Sequence, residues 1–286
     1  MCCIYNMLRV GYIGLGKMGF QIAKNISKHF ETIVWNRTTQ VAINHTQYGT
    51  NYYESLCDIA KKSSVIFTCL PTIYEVKQVI DIMYPHLTEN QIIVDNSSSD
   101  PFVIKELSDK LLRKNVYLFD GPVSGGPTKA KNGTLSCMVG GDEIVYEKIE
   151  NILKTYSKPQ YVGEVGNGCA IKAINNILNV TNLLVLSEGL SALNKYGIDA
   201  NVALKIINES SGRSLMSIER FPEHIIKGNY NYGFDLKLMK KDVDIAKNIL
   251  KNPITFEPII NILHKDVDIY GDGSDYTEIT KRFFNK

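Results

Sequence analysis

The chain has 286 residues, enough for one large domain or two medium-sized domains with real cores. Its formal net charge is only +2, so composition gives no argument for a nucleic-acid or membrane-surface partner. We find no stretch that predicts a bilayer span and no secretory signal before the first predicted strand, and we therefore expect a cytoplasmic protein. The six cysteines form no Cys-x-x-Cys pair and no histidine has metal-ligand spacing, so we expect reduced thiols and no metal site.

The first six residues are interpreted as a short disordered lead, because Met7 would serve as a natural start. Within this lead, Cys2 and Cys3 are candidates for acylation. However, a cysteine follows Met1 where myristoylation needs a glycine, and the sequence leaves their modification open.

A glycine-rich motif follows the first predicted strand, Leu8 to Ile13, and leads into a helical pattern. Strand, G-x-G-x-x-G and helix in this order are typical of dinucleotide binding. The first glycine allows the tight turn, the second lets the backbone approach a pyrophosphate, and the third permits close packing of the helix on the strand. The helix N-terminus favours the anion. The predicted cofactor-binding residues are Gly14, Leu15, Gly16, Lys17, Met18 and Gly19.

The second predicted strand, Thr32 to Trp35, ends at Asn36, Arg37 and Thr38. An NAD site holds Asp or Glu at this distance from the glycines, to bind the ribose hydroxyls. Here no carboxylate is present, and Arg37 can form a forked contact with a 2′-phosphate. The sequence therefore favours NADP(H), with a solvated surface arginine as the structural alternative.

Three further predicted strands each end in a loop: residues 64–70 before Pro71, residues 91–95 before a serine-rich loop, and residues 116–120. Repeated alternation of strands and helices predicts an α/β fold with a doubly wound parallel sheet. In such sheets, ligands bind at the carboxyl ends of the strands.

A glycine-rich turn follows the last of these strands. Two glycines after Ser124, at Gly125 and Gly126, could expose backbone N–H groups in a concave turn suited to a carboxylate or another anion. A purely structural turn would need fewer glycines. The segment therefore predicts an anion-binding site.

The longest apolar run begins at Gly166 and ends at Gly197. We expect a helix that is buried on most of its circumference, and we judge the run too short and too rich in asparagine for a membrane span. The apolar repeat is supplied by Ile174, Ile177, Leu178, Leu184, Val185 and Leu186.

Two polar residues near the start of this helix, Lys172 and Asn176, are four positions apart and therefore share a face. A lysine on a buried helix is costly unless it is paired or has a chemical role. A lysine that extends its ammonium to solvent at the helix start is the structural alternative.

Taken together, these segments resemble the β-hydroxyacid dehydrogenase family, which includes 3-hydroxyisobutyrate dehydrogenase and glyoxylate/succinic semialdehyde reductase and belongs to the 6-phosphogluconate dehydrogenase superfamily. The resemblance covers nearly the whole chain. It rests on residues 14–19, 70–71, 95–98, 121–126, 166–176, 234–242 and 271–275.

The resemblance implies a Rossmann-like NADP-binding domain over residues 1–165 and an all-helical substrate and oligomerisation domain over residues 166–286, joined by the long helix. It also implies that nicotinamide and substrate are held between them, and that the protein is a homodimer or homotetramer. NADP(H) is the expected cofactor, with NAD(H) as the second candidate.

The resemblance assigns roles to individual residues. Lys172 matches the catalytic lysine and Asn176 the substrate-orienting asparagine, while Ser124, Gly125 and Gly126 match the substrate-carboxylate turn. The positions that match cofactor-lining residues are Leu70, Pro71, Ser98 and Lys241, and those that match substrate-pocket residues are Phe234 and Asp242. Ser98 stands where threonine is usual, and Cys69 and Asn96 stand where small or apolar residues are common, which leaves the pocket shape open there.

These expectations combine into reversible hydride transfer between NADP(H) and a small carboxylate-bearing aldehyde or hydroxyacid, with Lys172 as general acid or base. A 6-phosphogluconate dehydrogenase would need a longer helical domain, and an imine reductase usually replaces the lysine. The alternative from another class is a non-catalytic NADPH-binding sensor or scaffold protein of the same fold.

Overall fold

The computed structural model describes residues 8–284, so the expected lead and its two cysteines lie outside the described residues. The chain divides into two compact units, the first ending at Lys172 and the second beginning at Ala173. The boundary falls inside one long helix. The predicted domain limits at residues 165 and 166 stay a prediction.

The first unit is built on a six-stranded parallel sheet with the order β3-β2-β1-β4-β5-β6. Its strands are β1 (Val10–Ile13), β2 (Thr32–Trp35), β3 (Asn51–Tyr52), β4 (Val65–Thr68), β5 (Ile92–Asp95) and β6 (Tyr117–Asp120). Every residue of β1, β4 and β5 is buried. Because helices cover both faces of a parallel sheet, these strands are continuous apolar runs rather than alternating ones.

The helices of the first unit are α1 (Gly19–Ile26), α2 (Thr39–His45), α3 (Leu56–Lys62), α4 (Ile73–Met83), α5 (Pro101–Leu112), α6 (Gly126–Asn132) and α7 (Glu143–Leu153). Side-chain caps set several of their starts. The Thr72 side chain accepts from the backbone N–H of Tyr74, Asp100 does the same for Phe102, and Asp142 for Val145. A second sheet, in the order β7-β8-β9, contains β7 (Val123–Ser124), β8 (Leu135–Val139) and β9 (Ser157–Tyr161).

The long helix α8 (Asn167–Lys195) differs from its prediction in two ways. Leu178 and Val185 were expected in the core, but they are 47% and 52% exposed. By length and composition α8 is also long and apolar enough to cross a membrane, since an 18-residue window within it has a mean hydropathy of 1.4. The expectation that no stretch reaches this limit is therefore wrong on those two criteria. A core helix meets the same criteria, and α8 buries Ile177 and Leu183 in an apolar cluster of the second unit.

The rest of the second unit is helical. Its elements are α9 (Ala200–Asn208), a π-helical segment at Met216–Ile225, α10 (Leu236–Leu250), α11 (Glu257–Tyr270), a 3₁₀ turn at Tyr276–Thr280 and α12 (Lys281–Phe284). Asp199 caps α9 by accepting from the backbone N–H groups of Asn201 and Val202. Helix α10 begins at Leu236, because Asp235 caps it by accepting from the backbone N–H of Lys237. The predicted fold class, a doubly wound parallel sheet followed by a long helix and a helical region, is confirmed.

Candidate functional site

The glycine loop after β1 is closely packed on one side and open on the other. Gly14 has φ +97, and a Cβ atom there would overlap the backbone oxygen of Cys69. A Cβ atom at Gly19 would overlap the backbone oxygen of Gly14, whereas at Gly16 it would meet no atom within 4 Å. The first and third glycines therefore pack strand, loop and helix together, and the second leaves the backbone exposed. This arrangement fits a dinucleotide pyrophosphate at the start of α1.

The loop after β2 contributes to the shape of the glycine loop. Asn36 accepts a hydrogen bond from the backbone N–H of Leu15 through Oδ1 at 2.9 Å and donates through Nδ2 to the carbonyl of Thr38 at 3.0 Å. Arg37 and Thr38 are exposed. Within residues 8–284, Arg37 makes no hydrogen bond or ion pair, so its guanidinium is available to an incoming phosphate. Lys17 is likewise exposed and Met18 is half-buried.

The loops after β4 and β5 are hydrogen-bonded to each other. Ser97 Oγ accepts from the backbone N–H of Leu70 at 2.9 Å. The buried Asp95 carboxylate accepts from Thr68 Oγ1 at 2.8 Å and from Ser99 Oγ at 2.7 Å. The predicted cofactor-lining residues Leu70 and Ser98 are half-buried and Pro71 is exposed, at the carboxyl ends of these two neighbouring strands.

The turn predicted to bind an anion has the backbone that only glycine adopts readily. Ser124 ends β7, paired with Ser136 of β8. Gly125 has φ +135 and Gly126 has φ +72, two successive residues in the region that disfavours L side chains. A Cβ atom at Gly125 would lie 2.7 Å from the Cδ atom of Lys129. The glycine pair is therefore required by the turn itself, and the half-buried Ser124 precedes it at the end of a short strand.

Lys172 and Asn176 lie one helical turn apart on α8 and are 8% and 3% exposed. Asn176 Nδ2 donates to Asp242 Oδ2 on α10 at 2.5 Å, and Asn175 Nδ2 donates to Asn176 Oδ1 at 3.1 Å. The Asn176 amide is therefore held in one orientation by a carboxylate on one side and an amide on the other. The sequence predicted that Lys172 and Asn176 share a face, but not the bond from Asn176 to Asp242.

Asp242 is 1% exposed and has one oxygen that is not hydrogen-bonded by the described residues, Oδ1. Lys241 Nζ lies 3.3 Å from this oxygen, an ion-pair distance without hydrogen-bond geometry. Lys241 thus compensates the charge of Asp242, but Asp242 Oδ1 still lacks a hydrogen-bond donor among the described residues. A donor group on a bound ligand would satisfy this oxygen. Phe234 lies two residues before α10, and its ring meets the Tyr276 ring edge-to-face with centroids 5.8 Å apart.

Asp120 is a buried polar residue to which the sequence reading gave no role. It ends β6 and is 0% exposed, and its carboxylate accepts from the backbone N–H groups of Gly166 and Cys169, each at 2.7 Å. Burial is the main cause that raises its pKa, to about 6, and the two backbone bonds oppose that shift. An aspartate at the end of a predicted strand was visible in the sequence. Its partner, 46 positions away, was not.

Two family descriptions cover most of the chain. Residues 9–171 match the NAD binding domain of 6-phosphogluconate dehydrogenase. Residues 166–253 match the NAD-binding region of NADP-dependent 3-hydroxyisobutyrate dehydrogenase.

Relatives of known activity align over similar spans. The mitochondrial 3-hydroxyisobutyrate dehydrogenase of Homo sapiens is 31% identical over 270 residues, which is 90% of this chain and 80% of the human protein. The 2-(hydroxymethyl)glutarate dehydrogenase of Eubacterium barkeri is 34% identical over 249 residues, 84% of this chain and 81% of that protein.

A solved structure shows the same fold. The 3-hydroxyisobutyrate dehydrogenase of Mycobacterium tuberculosis, described with L-serine, aligns with a TM-score of 0.89 and 21% identity over 96% of this chain and 99% of its own. The resemblance inferred from the sequence is confirmed by the matching families and relatives. The chain belongs to the 3-hydroxyisobutyrate dehydrogenase family of β-hydroxyacid dehydrogenases, within the 6-phosphogluconate dehydrogenase superfamily, and is an NAD(P)-dependent oxidoreductase that acts on CH–OH groups.

Proposed function

We propose that this enzyme transfers a hydride between NADP(H) and a small aldehyde or hydroxyacid that carries a carboxylate, with Lys172 as the general acid and base. The observation that carries the proposal is the nine-tenths-buried lysine one turn from Asn176, whose amide is fixed by hydrogen bonds. A lysine shielded from water in this way is suited to proton transfer rather than to solubility.

The preference for NADP(H) is supported by the loop after β2. Arg37 is exposed, no acidic residue stands beside it in the loop, and the neighbouring Asn36 is already engaged with the glycine loop. A guanidinium matches a phosphate with two parallel hydrogen bonds. One structural neighbour of 23% identity and TM-score 0.86, Psf3, is described in complex with NADP⁺. NAD(H) is the second candidate cofactor.

The carboxylate on the substrate is supported by the turn at Ser124, Gly125 and Gly126. The hydroxyl of Ser124 and the backbone of two successive positive-φ glycines offer donors suited to an anion. The relatives act, by their names, on 3-hydroxyisobutyrate and 2-(hydroxymethyl)glutarate, both of which are hydroxyacids. We take glyoxylate, succinic semialdehyde, methylmalonate semialdehyde and tartronate semialdehyde as the candidate substrates.

Reduction adds a hydride to the carbonyl carbon and a proton to the carbonyl oxygen, and the nicotinamide supplies or accepts the hydride when the cofactor is bound. Lys172 Nζ donates the proton to the oxygen during reduction and removes it during oxidation. Asn176 orients the reacting oxygen or the lysine head, and Asp242 holds the amide of Asn176 in the orientation that this requires. The turn at residues 124–126 binds the substrate carboxylate and so fixes which carbon reacts.

Phe234 and Lys241 are included in the proposed site, Phe234 for the substrate and Lys241 for the cofactor. Both are half-buried and precede Asp242 along the chain, Phe234 just before α10 and Lys241 within it. We also propose that the enzyme works as a homo-oligomer, and that its partners are small molecules rather than nucleic acid or membrane.

A matched pair of aldehydes tests the proposal. We expect NADPH oxidation with succinic semialdehyde and little or none with butanal, which has the same chain length but no carboxylate. The same assay with the other three candidate acids identifies the preferred substrate. Equal rates with the semialdehyde and butanal would exclude carboxylate recognition. If the purified protein binds NADPH but oxidises it with none of these aldehydes, the non-catalytic sensor or scaffold reading replaces the enzymatic one.

A further inference from the structure

We infer that Asp120 is a positioning residue that fixes the first turn of α8 to the end of β6 and thereby sets the place of Lys172. The inference rests on the proposed function, since it concerns the placement of the proposed acid and base. The basis is the contact of one buried carboxylate with two backbone N–H groups at the start of α8.

The contact uses both oxygens of the carboxylate. Oδ1 accepts from the N–H of Gly166 and Oδ2 from the N–H of Cys169, each at 2.7 Å. These N–H groups belong to the part of a helix that has no intrahelical acceptor, and the helix dipole favours a negative charge there. Lys172 follows Cys169 by three residues, which is about 4.5 Å along the helix axis. A shift of this turn therefore moves Lys172 by a comparable amount.

The carboxylate has no room to take another position. A Cβ atom at Gly140 would overlap Asp120 Oδ1, and one at Gly168 would lie 2.9 Å from Asp120 Oδ2 and overlap the carbonyl oxygen of Met138. Glycine at both places lets the backbone just after β8 and the backbone of α8 close on the carboxylate. The geometry is therefore a single packed arrangement rather than a flexible surface cap.

The backbone of Asp120 is equally constrained. Its N–H donates to the carbonyl of Gly140 at 3.0 Å and its carbonyl accepts from the N–H of Gly140 at 2.8 Å. The next N–H, that of Gly121, donates to the carbonyl of Asp95 at 2.8 Å. The turn that starts at Ser124 follows directly along the chain. Asp120 thus connects, through its backbone, to the proposed substrate-carboxylate turn and, through its side chain, to the helix of the proposed acid and base.

The charge on Asp120 is needed for both hydrogen bonds, because a protonated carboxyl has an O–H that donates where an acceptor is required. Burial raises the pKa of Asp120 to about 6, so this charge is lost in mildly acidic solution. The titratable groups that face it are Asp95 of β5, Cys137 of β8 and Cys169 of α8. Burial raises the pKa of Cys137 to about 12 and that of Cys169 well above its ordinary value, so both thiols stay neutral at these pH values.

The test is Asp120→Asn, with Asp142→Asn as the matched control. Asp142 also accepts from a helix N-terminus, that of α7, at 2.9 Å, but α7 carries no proposed site residue. We expect Asp120→Asn to lower kcat roughly 10- to 100-fold through misplacement of the proposed general acid, with the KM for the aldehyde and the Kd for NADPH unchanged. Asp142→Asn should leave kcat unchanged.

The pH profile of kcat distinguishes a positioning role of Asp120 from a purely structural role, which would leave this profile unchanged. The wild-type enzyme should lose activity as the pH falls through about 6, and Asp120→Asn should lack this acid limb. A variant that keeps the wild-type kcat and acid limb would overturn the inference, as would an equal loss of kcat in Asp142→Asn. If Asp120→Asn does not fold, the wild-type profile decides, because a flat kcat down to pH 5 contradicts the inference. Failure of the proposed function is a separate result, namely full turnover in Lys172→Ala.

Discussion

We propose that Arg37 determines the preference between NADP(H) and NAD(H). Its guanidinium is exposed, and within residues 8–284 it has no hydrogen-bond or ion-pair partner that would need to be released. We expect Arg37→Ala to lower the preference for NADPH over NADH about 10- to 100-fold, because a hydrogen bond to a charged group contributes about 1.5–3 kcal/mol. The ratio of kcat/KM with the two cofactors measures this.

Arg113→Ala is the matched control for this prediction, since Arg113 is also exposed and follows α5, away from the glycine loop. It should leave the cofactor ratio unchanged. An unchanged ratio in Arg37→Ala would mean that the loop after β2 does not recognise the 2′-phosphate, and NAD(H) would become the better candidate.

Asp120 also predicts a pH-dependent stability. Its folded-state pKa of about 6 lies above its ordinary value of 3.8, so the native state binds the proton more tightly than the unfolded state. Below pH 4, protonation of this carboxyl stabilises the folded state by about 3 kcal/mol relative to neutral pH. This stabilisation is lost as the pH rises through about 6. The free energy of unfolding of the wild type should therefore fall relative to that of Asp120→Asn between pH 4 and pH 7. If the free energy of unfolding of the wild type instead stays constant or rises relative to that of Asp120→Asn, the raised pKa of Asp120 is contradicted.

At the scale of elements, α8 and α10 are joined by the buried bond from Asn176 to Asp242. We expect Asp242→Ala to lower the free energy of unfolding by about 1–3 kcal/mol, since a buried amide donor loses its acceptor. Asp244 on the same helix is the control. It is 39% exposed and pairs with Lys240 and His264, so Asp244→Ala should cost about 1 kcal/mol or less. Urea unfolding compares the two variants, and equal losses would show that the buried bond contributes nothing specific.

The elements of the first unit could be predicted because their signals are local. An apolar run followed by a glycine motif and a helical pattern defines β1 and α1 within 19 residues, 8–26. The exposed face of α8 could not be predicted in this way, because Leu178 and Ile177 have the same chemistry and only the packing partners distinguish them. The burial of an apolar helix residue depends on the elements that pack against it, and the local sequence of the helix does not specify those elements.

The candidate site likewise contains local features that the sequence predicts and long-range contacts that it does not. Glycines with positive φ at 14, 125 and 126 were predictable, because a local turn requires them. The contacts of Asp120 with Gly166 and of Asn176 with Asp242 join residues 46 and 66 positions apart, and periodicity carries no information at that separation. The sequence suggested candidate residues for the chemistry, which stay a prediction, and left open which residues hold them in place.

At the scale of the whole molecule, the exposed apolar positions on α8 favour a homo-oligomer. Leu178 and Val185 are seven residues apart and are 47% and 52% exposed, a spacing that suits packing against the same helix of a second copy. We expect sedimentation to give at least twice the 32.1 kDa mass of one chain, and Leu178→Lys with Val185→Lys to shift it towards one chain. Ile254→Lys is the control, because Ile254 is 92% exposed and lies outside α8. A wild-type protein of 32.1 kDa would contradict this expectation.

The most direct test of the proposed chemistry is the single-turnover rate of NADPH oxidation by Lys172→Ala, with succinic semialdehyde or whichever candidate acid the wild type reduces fastest. We expect a rate roughly 10²- to 10⁴-fold below that of the wild type, because a general acid is removed, with an unchanged Kd for NADPH by fluorescence titration. Lys195→Ala, at the exposed far end of the same helix, should match the wild type in both measurements. A wild-type rate in Lys172→Ala would contradict the central claim that this buried lysine moves the proton.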